Sequence, residues 1–460
     1  MNHSRGRIPA LCAALVCSGA LFVVAQQPRP AQTQTVSPAQ RFPEKETYRP
    51  TPVPDRIILT FAGDPTVSQA VTWRTDTSIT RAYAEIAEAD GGPAFAKEAR
   101  RLDARTESLT TDLSTAHYHS VYFTGLQPKT QYAYRVGDGQ NWSEWFHFRT
   151  AGREPEPFSF VYFGDAQNDL KSMWSRVVRD SFREAPQTRF LIHAGDLINS
   201  RLRDAEWGEW HHAAGWVNGM VPSVPTPGNH EYGRDAMGRS QLAVNWRPQF
   251  TLPENGPARL PETAYFLDYQ GVRIISLNSN ERQDEQAAWL DGVLRENRQR
   301  WTVVTFHHPI FSSARGRDNV ELRRLWQPVL EKHRVDLVLT GHDHTYARSN
   351  LQTGVAALDP EGGTVYVVSV SGPKMYNVER LPWMSRMAED TQLYQVISVD
   401  GSRLRYEARM PTGALYDAFE LRKRPGRPNQ LIERTPKDVP LRLRVAPPAP
   451  AAPAPAAPAR

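Results

Sequence analysis

The sequence predicts an α/β protein whose amino-terminal part is a β-sandwich, and two observations carry this prediction. Between Arg56 and Thr150, turn residues separate short apolar runs of alternating pattern. About seven such strands in roughly a hundred residues are typical of a β-sandwich. From Phe158 onward, strand-like apolar runs alternate with helical stretches, which is typical of a layered α/β domain. The 460 residues also exceed one ordinary domain, so more than one is expected.

Residues 1–25 are predicted to form a bacterial-type secretory signal peptide. Two arginines precede an apolar run over 8–24, and small residues stand before a cleavage position. A single membrane anchor is the alternative interpretation, but the run is short for a span of about 20 residues. The two cysteines, Cys12 and Cys17, lie in this segment. We therefore expect a secreted or periplasmic chain with no disulfide and, after cleavage, no transmembrane anchor.

Composition and pattern assign the rest of the chain to four segments. Residues 26–50 are rich in Pro, Gln and Thr and are predicted to be a linker. The sandwich is assigned to residues 51–150 and the α/β domain to residues 151–422. Residues 423–460 are basic at first and later rich in Pro and Ala, which predicts a disordered tail.

The net charge of +5 at pH 7 is distributed unevenly along the chain. Residues 421–460 contribute +7 and residues 1–25 contribute +2, which leaves −4 for residues 26–420. A nucleic-acid-binding domain usually presents a basic patch or stripe on its folded part, and this mildly acidic body offers none. We therefore expect no nucleic-acid partner.

Five polar clusters in the second domain carry the chemistry. Four of them follow a predicted strand, where the loops of an α/β sheet place ligands, and one follows a Pro-rich loop. They are Gly164-Asp165-Ala166-Gln167, Gly195-Asp196-Leu197-Ile198-Asn199, Gly228-Asn229-His230-Glu231, Phe306-His307-His308-Pro309 and Gly341-His342-Asp343-His344. Their carboxylates, amide and imidazoles suit two divalent or trivalent metal ions, which can activate a water for in-line displacement at phosphorus.

In this order the five clusters resemble the motif series of the calcineurin-like metallophosphoesterases. The sandwich, together with residues 137–144 and 341–348, resembles the purple acid phosphatase branch. Within the sandwich, Trp73 and the segment 126–134 resemble a fibronectin type III module. The resemblance covers roughly residues 50–420 and implies a two-sheet, four-layer α/β/β/α domain behind the sandwich.

The resemblance also implies a ligand set for two metal ions, bridged by a shared aspartate that counts as a catalytic residue. The first ion would be bound by Asp165, Asp196 and His344. The second ion would be bound by Asp196, Asn229, His307 and His342, so that Asp196 is the bridge.

Further residues of the same motifs are expected to lie next to the metals. His230 would be catalytic, either as an electrostatic partner of the phosphate or as the proton donor to the leaving group. Glu231 would orient His230. For His308 two roles remain open: it is either a metal ligand or a residue next to one. Tyr346 and Arg348 would hold the loop that carries the last two histidine ligands.

Two departures from the family pattern bear on the identity of the metals. Purple acid phosphatases have a tyrosine three residues after the bridging aspartate, where this chain has Asn199. Other branches have a histidine two residues after the first aspartate, where this chain has Gln167. A neutral amide oxygen from one of these residues, or water, is expected to fill the place. Without a phenolate, iron(III) would be poorly stabilised, so we expect Mn, Zn or Fe(II) and no iron(III)–tyrosinate.

The expected activity is acid-phosphatase-like hydrolysis of a small phosphate monoester by a hydroxide that two metal ions activate. A phosphodiesterase on the same site is the alternative, and Arg315 or Arg317 could bind a phosphate oxygen at the pocket edge. A hypothesis of another class is a non-catalytic envelope-binding protein. The retained set of six ligand-type residues argues against it.

Overall fold

The computed structural model describes residues 42–354, 357–358 and 363–444, with 357–358 described by their backbone only. The predicted signal peptide, both cysteines, most of the predicted linker and the Pro- and Ala-rich end lie outside the described residues. Within the described ranges, no helix combines the length and the apolar character that crossing a bilayer requires.

The first part of the described chain is a sandwich of two sheets, preceded by the short helix α1 (Glu44–Thr47). Its strands are β1 (Asp55–Thr60), β2 (Gln69–Thr75), β3 (Tyr83–Glu88), β4 (Arg100–Asp103), β5 (Arg105–Thr110), β6 (Thr115–Phe123), β7 (Gln131–Gly137) and β8 (Phe146–Arg149). One sheet has the order β1-β2-β6-β5 and the other has the order β4-β3-β7-β8. Trp73, Tyr134 and Phe148 are buried in the core between them. The predicted sandwich is confirmed.

The second part is the predicted α/β domain, which follows directly. Its strands are β9 (Phe158–Phe163), β10 (Leu191–Ala194), β11 (Ser223–Thr226), β12 (Tyr232–Arg234), β13 (Ser240–Leu242), β14 (Tyr265–Tyr269), β15 (Val272–Ser276), β16 (Trp301–Thr305), β17 (Leu337–Thr340), β18 (Tyr346–Ser349), β19 (Gln352–Thr353), β20 (Ala357–Leu358), β21 (Val365–Val368), β22 (Met384–Ala388), β23 (Tyr394–Asp400), β24 (Arg403–Arg409), β25 (Leu415–Arg424) and β26 (Arg427–Glu433).

Five helices accompany these strands: α2 (Ser175–Glu184), α3 (Asp204–Ala214), α4 (Trp246–Gln249), α5 (Gln283–Arg295) and α6 (Val320–Lys332). A π-helical turn, Leu170–Trp174, leads into α2, and a 3-10 turn, Gly215–Val217, follows α3. In α5 the buried positions Gln286, Leu290 and Leu294 are four residues apart, so one face packs inward. Acidic residues in its first turn and Arg295 in its last turn complement the helix dipole.

Two large sheets form the inner layers of the domain. One has eleven strands in the order β26-β25-β24-β23-β9-β10-β11-β1-β2-β6-β5, and the other has seven in the order β14-β15-β16-β17-β21-β18-β22. In β16, Val303 packs into the core shared with the first sheet, whereas Val304 packs beneath α5 and α6. The helices α2 and α3 cover the outer face of the first sheet with Val177 and Trp210. The four-layer α/β/β/α arrangement is confirmed.

The eleven-stranded sheet joins the sandwich to the second domain, which the sequence pattern did not indicate. Strand β1 of the sandwich pairs in parallel with β11 through Thr60 and Ser223. The amide of Leu59 also donates to the carbonyl of Asn218 at 2.9 Å. One sheet of the sandwich is therefore a continuation of the sheet that carries β9, β10 and β11.

The prediction of a disordered tail from residue 423 is wrong as far as residue 444. Strands β25 and β26 form a hairpin at the edge of the large sheet, turning at Gly426 with a φ of 67°. Buried side chains anchor this segment, since Thr435 donates to Asp417 at 2.7 Å and Arg348 donates to Glu433 at 2.6 Å. An edge strand needs few apolar residues, so the mostly polar sequence of Arg427–Glu433 did not indicate a strand.

Candidate metal centre

The candidate centre lies where the two large sheets present the carboxyl ends of their parallel strands. Strands β9, β10 and β11 are parallel neighbours in one sheet, and β16 and β17 are parallel neighbours in the other. A predicted ligand follows each of these strands within a few residues. The structure brings together all six of them, namely Asp165, Asp196, Asn229, His307, His342 and His344.

The first group of ligand atoms comes from Asp165, Asp196 and His344, which place one atom each within 4.8 Å of the others. The Nδ1 atom of His344 donates to the carbonyl of Lys374 at 2.9 Å, which leaves its Nε2 lone pair directed inward. That Nε2 atom lies 2.9 Å from Oδ2 of Asp165. An imidazole lone pair and a carboxylate oxygen thus face each other.

The second group has the same character. His307 donates from Nδ1 to the carbonyl of Ala194 at 2.9 Å, so its Nε2 lone pair also points inward. Oδ1 of Asn229 lies 3.0 Å from this Nε2 atom and 2.9 Å from Nδ1 of His342. The nitrogen atoms of His307 and His342 are 3.1 Å apart.

Asp196 connects the two groups. Its Oδ2 atom lies 3.2 Å from Nε2 of His307, while the same residue belongs to the group formed with Asp165 and His344. A carboxylate in this position can offer its oxygens to two ions at once.

The donor set fits a bound cation. Oδ2 of Asp165 and Oε1 of Gln167 are buried and have no hydrogen-bond partner among the described residues. Burial lowers the pKa of the His307 imidazole, but the carboxylates of Asp196 and Asp165 more than offset this and raise that pKa to about 9. The negative charge around this ring is strong enough to draw a proton onto it, and a bound metal ion would take the place of that proton.

Two glycines allow this close approach. A Cβ atom on Gly228 would lie 2.2 Å from Oδ1 of Asp196, and one on Gly341 would lie 2.1 Å from Oδ1 of Asp165. Two of the predicted ligands, Asp196 and His342, also have positive φ values of 49° and 69°. Left-handed backbone at such residues is uncommon and concentrates at functional sites.

His230 stands at the edge of the centre with its side chain 26% exposed. Its Nδ1 atom donates to the carbonyl of Asn199, and its backbone amide donates to Oδ1 of Asp196 at 2.9 Å. The remaining ring atom, Nε2, lies 3.9 Å from Oδ2 of Asp196. His230 therefore presents Nε2 to the centre.

Gln167 and Asn199, the two amide residues at positions that depart from the family pattern, lie in different surroundings. Nε2 of Gln167 donates to Oδ2 of Asp196 at 2.7 Å and lies 3.3 Å from Nε2 of His344, so this side chain lies within the centre. The side chain of Asn199 donates to Ser200 instead, and its backbone amide donates to Glu206 at 2.7 Å. Of the two, only Gln167 has a side-chain hydrogen bond to a predicted ligand.

The expectation that Glu231 orients His230 is wrong. The buried carboxylate of Glu231 accepts hydrogen bonds from the backbone amides of Asp196, Leu197 and Gly228, at 3.0, 2.8 and 2.7 Å. It therefore ties the loop after β10 to the loop after β11 and fixes where their ligands stand. No hydrogen-bonding pattern of this kind can be deduced from residue spacing.

Tyr346 and Arg348 do not reach the loop that they were expected to hold. Both donate to the buried carboxylate of Asp417, Tyr346 at 2.6 Å and Arg348 at 2.8 Å. Asp417 belongs to β25, so these residues attach β18 to the other large sheet. Their role in the described structure is to join two sheets.

His308 occupies the side of the centre that opens to a cavity. Its Nδ1 atom lies 2.8 Å from Oγ of Ser279, and its ring centre lies 4.3 Å from that of His342. The cavity has a volume of about 600 Å³, and its lining includes the amides of Asn280 and Gln283 and the acidic side chains of Asp318 and Glu321. Ser279 and Asn280 carry no motif that would have indicated this position.

Two known families match separate ranges of the chain. The family described as "Purple acid Phosphatase, N-terminal domain" matches residues 54–150. The family described as "Calcineurin-like phosphoesterase" matches residues 158–346. The two matched ranges together make up more than half of the chain.

Several curated proteins are similar in sequence. An uncharacterized protein of Mycobacterium tuberculosis is 26% identical over 66% of this chain and 63% of its own length. Probable purple acid phosphatase 20 of Arabidopsis thaliana is 27% identical over 51% of this chain and 58% of its own length. Acid phosphatase type 7 of Homo sapiens is 26% identical over 65% of this chain and 71% of its own length. The chain thus spans less than two thirds of the length of the first two relatives.

Two solved structures share the fold. Purple acid phosphatase PPD1 from yellow lupin seeds aligns with a TM-score of 0.68 at 18% identity, covering 80% of this chain and 74% of its own. The structure of PhoD aligns with a TM-score of 0.62 at 12% identity, covering 84% of this chain and 93% of its own.

Proposed function

Because this chain belongs to the calcineurin-like phosphoesterases, in the purple acid phosphatase branch, we propose that it is an exported, metal-dependent phosphohydrolase that cleaves phosphate monoesters. One observation carries the proposal. Oxygen and nitrogen atoms of the six predicted ligands converge on one another, and no arginine or lysine of the described residues is paired with the two aspartates. Such an arrangement is suited to metal ions bound from outside the chain.

The protein's own residues would define the position of the ions. Asp165, Asp196 and His344 would hold one ion, and Asn229, His307 and His342 would share Asp196 to hold the other. When bound, the two ions would supply positive charge opposite the phosphoryl oxygens and acidify a water. The peptide hydrogen bonds of Glu231 keep two of the ligand loops in register.

His230 would act on the leaving group. Its Nδ1 atom is committed to the carbonyl of Asn199, so Nε2 is the atom that can carry a proton to the departing oxygen. The hydrogen bond to Asn199 fixes the ring orientation, which favours transfer along one direction.

The neighbouring cavity supports a monoester of a polar alcohol. The lining amides of Asn280 and Gln283 can hydrogen-bond hydroxyl or carbonyl groups of the alcohol. A diester would have to place a second ester group as well. The phosphodiesterase alternative is therefore tested by comparing a monoester with a diester in the experiment described below.

We further propose a colourless Mn, Zn or Fe(II) enzyme. The position of the iron-binding tyrosine is Asn199, whose side chain donates to Ser200. The phenol that gives iron(III) its colour is therefore missing. An intense visible charge-transfer band in the purified holoenzyme would contradict this.

Metal content and paired substrates test the proposal. The purified protein is reconstituted separately with Mn, Zn, Fe(II) and Ca, and its metal content is measured. Each preparation is assayed with p-nitrophenyl phosphate and bis(p-nitrophenyl) phosphate. We expect about two ions per chain, faster hydrolysis of the monoester, and loss of activity on chelation that metal restores.

Each contrary result has a distinct meaning. Preference for the bis-ester would favour a phosphodiesterase. Absence of bound metal and of activity would favour the non-catalytic, envelope-binding hypothesis. Export is proposed from the predicted signal peptide, and recovery of the mature chain from the periplasm or medium would test it.

A further inference from the structure

An irregular segment, residues 371–378, surrounds the predicted metal ligand His344 and is called the His344 loop below. The carbonyl of Lys374 accepts from Nδ1 of His344 at 2.9 Å, and the amide of Tyr376 donates to the carbonyl of His344 at 2.8 Å. The ring centres of His344 and Tyr376 lie 4.5 Å apart. Because the loop contains no helix or named strand, its contacts determine its position and thus the direction of the imidazole.

The far end of the His344 loop is held by the carboxylate of Glu389, which is buried at 8% exposure. Oε1 of Glu389 accepts from the backbone amide of Val378 at 2.6 Å. Oε2 accepts from the backbone amide of Arg444, also at 2.6 Å. Since hydrogen bonds to an ionised acceptor are strong, this carboxylate connects the loop firmly to a distant segment of the chain.

That distant segment, residues 438–444, is called the strap below and lies beside β22. Arg442 forms a parallel β-bridge with Ala388, and its carbonyl accepts from the amide of Glu389 at 2.7 Å. Leu443 packs against the core beneath α5 and α6. The strap is therefore attached to the sheet on the same residue whose side chain holds the loop.

Arg444 adds a direct contact between the strap and the loop. Its guanidinium pairs with Asp390, with two nitrogen–oxygen distances of 2.5 Å, and donates to Oδ1 of Asn377 in the His344 loop. The strap also lies at the surface, where Leu441 is 44% exposed. The strap thus joins the loop at two points and is accessible from solution.

The ligands of the second group are held by other parts of the chain. Nδ1 of His307 donates to the carbonyl of Ala194, and Oδ1 of Asn229 lies within 3.0 Å of ring nitrogens of His307 and His342. Among the described residues, no hydrogen bond joins these three ligand side chains to the His344 loop or the strap. A change in the strap should therefore affect the two groups unequally.

We propose that Glu389 is a positioning residue, through which the strap sets the affinity of one of the two metal positions and leaves the other unchanged. The affected position is the one predicted for Asp165, Asp196 and His344. This inference rests on the proposed function, because it concerns an ion of the same centre. When the strap is displaced, the imidazole of His344 gains conformational freedom that binding of an ion must then remove.

A second contact limits the size of this effect. Val378 also forms a β-bridge with Ala314, which holds the far end of the loop independently of Glu389. We therefore expect weaker binding of one ion rather than its loss. A decrease of about tenfold is at the lower end of what residues behind metal ligands contribute to affinity.

Four variants test the proposal. In Glu389→Gln the side chain has one acceptor oxygen instead of two, so one of the two backbone N–H groups would face an NH₂ group. Arg444→Pro removes the N–H of the strap, whereas Arg444→Gln keeps it and loses the same guanidinium. Asp438→Asn is the control, because it removes a negative charge from an exposed residue of the same strap.

Calorimetry with Mn²⁺ is performed on the full-length proteins after chelation. His344→Ala and His342→Ala identify which binding event belongs to which group of ligands. In Glu389→Gln and Arg444→Pro, the event that His344→Ala abolishes should be about tenfold weaker, and the event that His342→Ala abolishes should be unchanged. Arg444→Gln should lose less than Arg444→Pro, and Asp438→Asn should match the wild type.

Hydrogen exchange of the same chelated proteins gives a readout that needs no metal. The amides of the His344 loop should exchange faster in Glu389→Gln and Arg444→Pro, with those of α6 unchanged. Unchanged exchange in the loop, faster exchange throughout the protein, or equal weakening of both Mn²⁺ binding events would overturn the inference. A wild type that binds two ions but hydrolyses neither p-nitrophenyl phosphate nor its bis-ester would overturn the proposed function and retain the role of Glu389.

Discussion

Asp196 and Asp204 lie eight positions apart in the sequence and are both about 1% exposed, yet their surroundings differ completely. Asp204 is paired with two arginines of the sandwich, Arg56 at 2.6 Å and Arg74 at 3.3 Å. Asp196 meets the nitrogen of His307 at 3.2 Å and has no arginine or lysine partner among the described residues.

The difference separates a structural carboxylate from a functional one. A buried carboxylate that finds its cations within the chain joins two parts of the fold. A buried carboxylate surrounded by other ligand-type atoms needs its cation from solution. The first kind is found where the sandwich meets α3, and the second where the two large sheets meet.

The largest expected effect concerns Asp196. Asp196→Ala removes the side chain shared by both groups of ligands and should lower kcat at least about a thousandfold, which is about 4 kcal/mol on the barrier. The measurement is turnover of p-nitrophenyl phosphate at saturating metal, with the fold checked by circular dichroism.

A matched variant sharpens this result. Asp204→Asn, assayed at a temperature where it is folded, should keep the wild-type kcat because Asp204 lies outside the centre. If Asp196→Ala kept wild-type turnover at full metal loading, the assignment of the centre would be wrong.

The second effect concerns stability at the other junction. Asp204→Asn leaves two buried guanidinium groups without their counter-charge, so the free energy of unfolding should fall by about 3–5 kcal/mol. Urea unfolding of the metal-free protein measures it. Asp103→Asn is the control, because the Arg81–Asp103 pair is largely exposed and screened by solvent, so its loss should change the free energy of unfolding far less. Equal effects of the two substitutions would show that burial of the pair is unimportant.

The smallest effect concerns a buried histidine in the sandwich. His119 lies between Thr75 and Thr106, and burial, with a smaller contribution from His117, lowers its pKa to about 4. As the pH falls below about 6.5, the imidazole of His119 becomes protonated in the unfolded chain but stays neutral in the folded chain. The free energy of unfolding should therefore decrease by about 3 kcal/mol by pH 4.

This loss is measured as the difference in unfolding free energy between pH 7 and pH 4. His119→Gln should lose correspondingly less over that range, whereas His147→Gln, at an exposed position, should follow the wild type. Parallel pH profiles of all three proteins would contradict the assigned pKa.

The sequence was informative about the centre because four of the five motifs follow a predicted strand. Asp165 follows β9 and His307 follows β16, so strand prediction placed each of them at the carboxyl end of a strand, whereas the meeting of their two sheets depends on packing. Their role as metal ligands remains a prediction for the experiments above. Glu231 was misassigned because its partners are peptide groups of another loop, and backbone donors leave no trace in residue type.

The same reasoning explains the misjudged elements of the fold. The β26 strand was missed because an edge strand such as Arg427–Glu433 can be largely polar, here with Leu431 and Ile432 as its aliphatic residues. The attachment of Tyr346 and Arg348 to Asp417 depends on a contact between two sheets. Local patterns determine strands and helices, whereas such long-range pairings depend on the packed structure.

The pairing of Thr60 with Ser223 has a practical consequence for anyone who wishes to study the metal-binding part alone. A truncation that removes the sandwich would expose the free backbone groups of β11 as a new sheet edge and would leave Asp204 buried without its arginines. Exposed edges of this kind promote aggregation. The two parts should therefore be expressed together, and an insoluble fragment would reflect a cut sheet rather than an unstable active site.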